Sequence, residues 1–162
     1  MALTNPVFEA DFTIDKVSNS RKAALGALAR RICALRPEIS VEDIYGCFLA
    51  RERLGSTAIG AGAAAPHTIH EQAGAPLIQV TRLASPVDFD AADDEAVDLL
   101  LCVIGNRHDL KWLHLALPRI AKLANTPDLA KRLRSARCIA DAEELLAQAG
   151  IYTDRTAPRK AA

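Results

Sequence analysis

The sequence predicts an α/β domain in which helices cover a mixed sheet. Three observations carry this. Leu77–Leu83 alternates apolar and polar residues, the period of a half-buried strand, and Asp98–Ile104 is continuously apolar after its first residue, as a strand buried on both faces should be. On either side of this strand-rich middle, apolar residues fall at helical spacing: Leu25, Leu28, Ile32 and Leu35 before it, Leu110, Leu113, Leu117, Ile120 and Ala124 after it. Half of the residues are apolar but only 4% are aromatic and alanine is abundant, which favours helices packed closely on a sheet. At 162 residues the chain is one domain. That length buries roughly two-thirds of the unfolded surface.

Each element has its own signal. Residues 1–11 have no period and are expected to be flexible. Phe12–Val17 alternates imperfectly and reads as a strand. Ser18-Asn19-Ser20 offers an N-cap to the helix that Pro37 stops. Ser40 with Asp43 resembles a capping box and opens a second helix, whose inner face holds Val41, Ile44, Phe48 and Leu49. The stretch 50–67 follows, with tight turns at Gly55–Thr57 and Gly60–Gly62 and a short apolar strand running into Pro66-His67. A loop of Pro, Asp and Ala separates the two central strands. Pro118 lies inside the next helical pattern and is expected to kink or split it. Thr126-Pro127 is an N-cap and first-position pair for a helix with Leu129 and Leu133, and Asp141 is placed to cap a last helix through Leu146. From Tyr152 onward the composition predicts a disordered tail.

Composition narrows the function classes. Net charge is zero without a basic patch, so nucleic acid is a poor partner. No apolar run approaches a membrane span. The first residues lack the charged and apolar regions of a secretory signal, which predicts a cytoplasmic protein. Cys33, Cys47, Cys102 and Cys138 are widely spaced inside apolar patterns and read as reduced core thiols, with no C-x-x-C pair for zinc. No cofactor or metal is expected. Gly60 and Gly62 lack the Lys-Ser/Thr that would make a Walker A loop, and no carboxylate pair marks a glycosidic site.

The stretch from Ala50 to His67, A-R-E-R-L-G-S-T-A-I-G-A-G-A-A-A-P-H, carries the most specific signal. It resembles the active-site segment of the type-2 EIIA domains (fructose, mannitol and nitrogen type) of the bacterial phosphotransferase system, R-E-x-x-G-S-T-G-I-G-x-G-(apolar)₃-P-H. Arg51, Glu52, Gly55, Ser56, Thr57, Ile59, Gly60, Gly62, Pro66 and His67 all fall in place. Ala58 replaces a usual glycine, and Ala63–Ala65 are smaller than the usual valines and isoleucines. The likeness continues through Pro86-Val87-Asp88-Phe89 and the acidic stretch 90–95, and covers about residues 10–148. It implies a five-stranded mixed sheet with helices on both sides. The domain is expected over 12–150, with flexible or disordered ends at 1–11 and 151–162.

The resemblance implies that His67 is the phosphorylated nucleophile. Neutral imidazole is nucleophilic near pH 7 and still gives the phosphoryl group up again. Arg51, Ser56 and Thr57 match positions that line the site, where they would offer donors to the phosphoryl oxygens. The family usually has a helper histidine at the start of the helix after the apolar strand. Trp112 aligns there, with His108 and His114 flanking it. His70, three residues after His67, would share a metal only on a helix; loop solvation is the simpler reading. Two readings follow. In one the chain is a phosphocarrier that takes a phosphoryl group from an HPr-type protein and acts as a nitrogen-type regulator, or as a detached fructose-type domain passing phosphate to an EIIB. In the other it is a regulatory module that docks a target protein with phosphorylation impaired. The small residues Ala61–Ala65 and those around Gly55 are expected to form a shallow docking patch around His67.

Overall fold

The computed structural model describes residue 5 and residues 7–157. In chain order these form β1 (Val7–Asp15), α1 (Arg21–Leu35), α2 (Val41–Arg53), β2 (Ala58–Gly60), β3 (Ala63–Ala64), β4 (His67–Ile69), β5 (Leu77–Val87), β6 (Val97–Gly105), α3 (Leu110–Ala124), α4 (Pro127–Arg134), α5 (Ile139–Gln148) and β7 (Tyr152–Thr153). The strands make one mixed sheet in the order β2-β3-β6-β5-β1-β7, with β4 also on β6. β6 runs antiparallel to β5 and parallel to β3 and β4. Its side chains alternate between two cores, which explains its unbroken apolar run. Leu99, Leu101 and Val103 face α3, α4 and α5, whereas Leu100, Cys102 and Ile104 face α1 and α2.

The sheet has seven strands, not five, for two local reasons. The tract 63–69 is cut by Pro66, so β3 pairs with β6 at Ala63↔Leu99 and β4 resumes at His67↔Val103. Proline has no N–H to give a ladder. The second reason corrects both ends of the domain. β1 starts at Val7 rather than Phe12, and β7 pairs parallel with Val7–Phe8. Phe8 and Ile151 are each 1% exposed, and the Asp154 N–H donates to the Phe8 carbonyl at 2.8 Å. Burial of these two apolar side chains, about 1.5–3 kcal/mol for each, orders segments whose composition alone reads as loose. Flexibility at 1–11 therefore fails for 7–11, and disorder at 151–162 fails for 151–154. Residues 1–4, 6 and 158–162 lie outside the described residues.

Capping follows the sequence in α1 and α2: Ser20 Oγ accepts from Ala23 N–H and Ser40 Oγ from Asp43 N–H, each at 3.1 Å. Asp141 does not cap α5 from the N-cap position, which Cys138 holds. It sits in the first turn and reaches back to the Arg137 N–H at 2.9 Å. Helix α3 is one element through Pro118, neither split nor ended there. The ring falls on an exposed position, and the carbonyl it leaves without a helical donor belongs to exposed His114, where water can take the bond. The thiols also differ from the core reading: Cys102 is buried, Cys33 and Cys47 are half-buried, and Cys138 is exposed.

The loop between β1 and α1 carries a pH-dependent contribution. Burial pushes the Asp15 carboxyl up, but hydrogen bonds from Ser18 and Val17 and the nearby Arg30 charge outweigh it, so its pKa lies below the usual aspartate value. A carboxyl with a depressed folded pKa contributes stability above its unfolded pKa of about 3.9, and loses it as pH falls through the folded value. Asp15→Asn is thus expected to lower the melting temperature at pH 7 and to lower it by less at about pH 3. Equal melting-temperature differences at the two pH values would contradict this assignment.

Candidate functional site

His67 opens β4 at the carboxyl end of β6, directly after the proline that interrupts the ladder. That interruption has a chemical consequence. With Pro66 in place, the Pro66 carbonyl takes the Val103 N–H at 3.1 Å, and the Ala65 carbonyl accepts from His67 Nδ1 at 2.9 Å. On the other side of the ring, Arg51 Nε donates to His67 Nε2 at 3.3 Å, and Arg51 Nη1 is held by the Gly55 carbonyl at 2.9 Å. An arginine only donates and a carbonyl only accepts. The two partners therefore assign the hydrogen to Nδ1 and the lone pair, which accepts from Arg51, to Nε2. The ring is half-buried rather than fully exposed.

Ser56 and Thr57 lie beside this pair, but their hydroxyls are turned inward. Ser56 Oγ donates to the Phe89 carbonyl and also accepts the Ala58 N–H at 3.1 Å. Thr57 is 5% exposed; its Oγ1 donates to Glu52 Oε1, and its N–H reaches Glu52 Oε2 at 3.3 Å. Both residues hold the loop, which corrects the expectation that they line a phosphoryl pocket. Glu52 matches the motif, but the motif alone gives it no role. It stands in the R-E pair next to Arg51, and that adjacency was the available signal.

None of the helper candidates makes a hydrogen bond to His67. His108 is exposed in a short 3₁₀ turn, Arg107–Asp109, whose start is fixed by Asn106. His114 is exposed on α3. Trp112 is half-buried against the α3 core, with Lys111 Nζ 4.4 Å from its ring centroid. His70 is bound into a turn, where its Nδ1 accepts from the Gln72 N–H at 3.1 Å.

The expected Ala61–Ala65 docking patch is also corrected. Ala63, Ala64 and Ala65 are core residues at 3% exposure or less. Ala61 sits at the far end of the tract, with its N–H on Asp93 and its carbonyl on Arg134. Leu99, opposite Ala63, is separated from Val103, opposite His67, by about 13 Å of strand. The small residues are needed for packing: a Cβ on Gly62, which has φ +74, would lie 3.0 Å from Arg134 Nη2 and 3.3 Å from the Ala96 carbonyl. Leu54, which adjoins Gly55, is an exposed apolar side chain at 85% exposure.

Residues 7–149 match the family described as phosphoenolpyruvate-dependent sugar phosphotransferase system, EIIA 2. The chain is 38% identical over 118 residues to the nitrogen regulatory protein of Pseudomonas aeruginosa, covering 72% of this chain and 76% of that protein. Its fold is similar to that of the nitrogen regulatory protein IIA-Ntr from Neisseria meningitidis, with a TM-score of 0.75 at 24% identity over 83% of this chain and 91% of that one. It is also similar to the complex of enzyme IIA mannitol with phosphorylated enzyme IIB mannitol from Escherichia coli, with a TM-score of 0.64 at 16% identity, covering 85% and 94%. No helix among the described residues is long and apolar enough to cross a membrane. With the R-E-x-x-G-S-T and P-H residues gathered at one end of this sheet, the chain belongs to the type-2 EIIA family of the phosphotransferase system and is similar to its nitrogen-regulatory members.

Proposed function

We propose that His67 Nε2 accepts a phosphoryl group from an HPr-type protein in the cytoplasm, and that the chain acts as a nitrogen-type regulatory EIIA. Family membership already gives the coarser role, a phosphotransferase-system component of the EIIA regulatory type. The observation that supports the finer one is the imidazole's pair of partners, Ala65 carbonyl on Nδ1 and Arg51 on Nε2. In the proposed step the Nε2 lone pair attacks the phosphorus carried on the donor's histidine. The donor's N–P bond breaks and its electron pair returns to the donor ring. The product ring of His67 still carries the Nδ1 hydrogen, so it is cationic, and the Ala65 carbonyl is placed to stabilise it. Arg51 leaves Nε2 and turns its N–H groups to the phosphoryl oxygens. Transfer of this kind is mainly positioning and charge stabilisation.

The test is incubation with phosphoenolpyruvate, Enzyme I and HPr of the source organism, followed by intact mass. One acid-labile phosphate per chain is expected. The docking-only reading draws on the absence of any histidine hydrogen-bonded to His67. It predicts no added mass while HPr still binds. Leu54 gives the donor surface an anchor: burying one leucine contributes about 1.5–3 kcal/mol. Leu54→Glu is expected to weaken HPr binding by roughly tenfold or more in an NMR titration. Unchanged affinity in that variant would move the docking surface elsewhere.

A further inference from the structure

Both nitrogens of His67 lead back to the last turn of α2. Arg51 reaches Nε2 directly. The Nδ1 side runs through backbone: the Ala65 carbonyl that accepts from Nδ1 belongs to a residue whose N–H donates to the Thr57 carbonyl at 2.9 Å. Thr57, in turn, is clamped at its N–H and its hydroxyl by the two oxygens of Glu52. Glu52 is 6% exposed at its side chain, and Arg21 Nη1 stands 3.7 Å from its Oε2. The same Arg21 nitrogen donates to the Phe89 carbonyl at 3.4 Å, the acceptor that Ser56 Oγ also uses. A nearly dry carboxylate is costly unless it is paired and hydrogen-bonded. Here the two Thr57 donors and the Arg21 charge satisfy it.

We infer that Glu52 is a positioning residue for His67: through Thr57 and Ala65 it fixes the imidazole with its hydrogen on Nδ1, and Arg21 is its counter-ion. Glu52 makes no hydrogen bond to the ring and is not a catalytic residue. The inference rests on the phosphocarrier reading for its effect on rate, but not for its effect on the ring. Glu52→Gln keeps the shape and removes the charge. It leaves one carbonyl oxygen for the two Thr57 donors and nothing ionic opposite Arg21.

The test uses the full chain and three readouts: the ¹⁵N resonances of the His67 ring before phosphorylation, single-turnover transfer from phosphorylated HPr, and the melting curve. In Glu52→Gln the ring nitrogens are expected to shift towards a mixture of tautomers, and transfer to slow by about tenfold or more. Arg21→Met should show the same changes more weakly, and Arg21→Lys should restore the parent values. Thr57→Val removes only the hydroxyl link, and carries the test if Glu52→Gln does not fold. Wild-type ring resonances in folded Glu52→Gln, or in Thr57→Val should the former not fold, would overturn the inference. If the parent protein takes no phosphate at all, the phosphocarrier reading fails while the ring resonances still decide the role of Glu52.

Discussion

Replacing His67 with alanine is expected to abolish acid-labile phosphorylation completely while leaving a folded domain. The loss is total because the three other histidines have no equivalent arrangement. His70 Nδ1 is spent in a turn, and His108 and His114 are exposed with no arginine or carbonyl fixing their tautomer. The fold survives because, among the described residues, the imidazole makes two hydrogen bonds, to Ala65 and Arg51, and is not part of either core. Intact mass after incubation with the phosphoryl donor system, next to a melting curve, reads both quantities. Label that persists in the folded variant would place the nucleophile elsewhere.

The second large effect is expected at Arg51. Its guanidinium touches Nε2 in the unphosphorylated protein and is braced by the Gly55 carbonyl at 2.9 Å. When a phosphoryl group occupies Nε2, that guanidinium is in place to meet it. A charge-assisted hydrogen bond contributes about 1.5–3 kcal/mol. On the scale of tenfold per 1.36 kcal/mol, Arg51→Ala should slow single-turnover transfer by roughly ten- to hundredfold. Arg51→Lys should recover only part of the loss, since an ammonium brings the charge but not the planar fork. Equal rates in parent and alanine variant would make Arg51 a bystander.

Much of this was legible in the sequence because the signals were local. Ser20 and Ser40 announce their helices through caps that the chain then uses. The run 98–104 reads as a strand buried on both faces, and it lies at the centre of the sheet. The Arg51–His67 pairing is carried by a motif short enough to recognise. What stayed hidden depends on contacts between distant residues. Nothing in T-N-P-V-F-E predicts that Phe8 is covered by a segment from the other end of the chain. Small residues at 61–65 look like an open surface until β6 and β2 close over them. Hydroxyls in a motif look like ligands for a phosphate until Glu52 and the Phe89 carbonyl take them. Arg21 lies 31 positions before Glu52 and meets it only because α1 and α2 pack side by side.

The proposed chemistry turns on one atom, His67 Nε2. It is tested most directly by a long-range ¹H–¹⁵N correlation spectrum of the phosphorylated full-length protein, with the His67 ring assigned. Phosphorus is expected on Nε2, with the hydrogen retained on Nδ1 and protected by the Ala65 carbonyl. Phosphorus on Nδ1 of His67, or on any of the other three histidines, would contradict it.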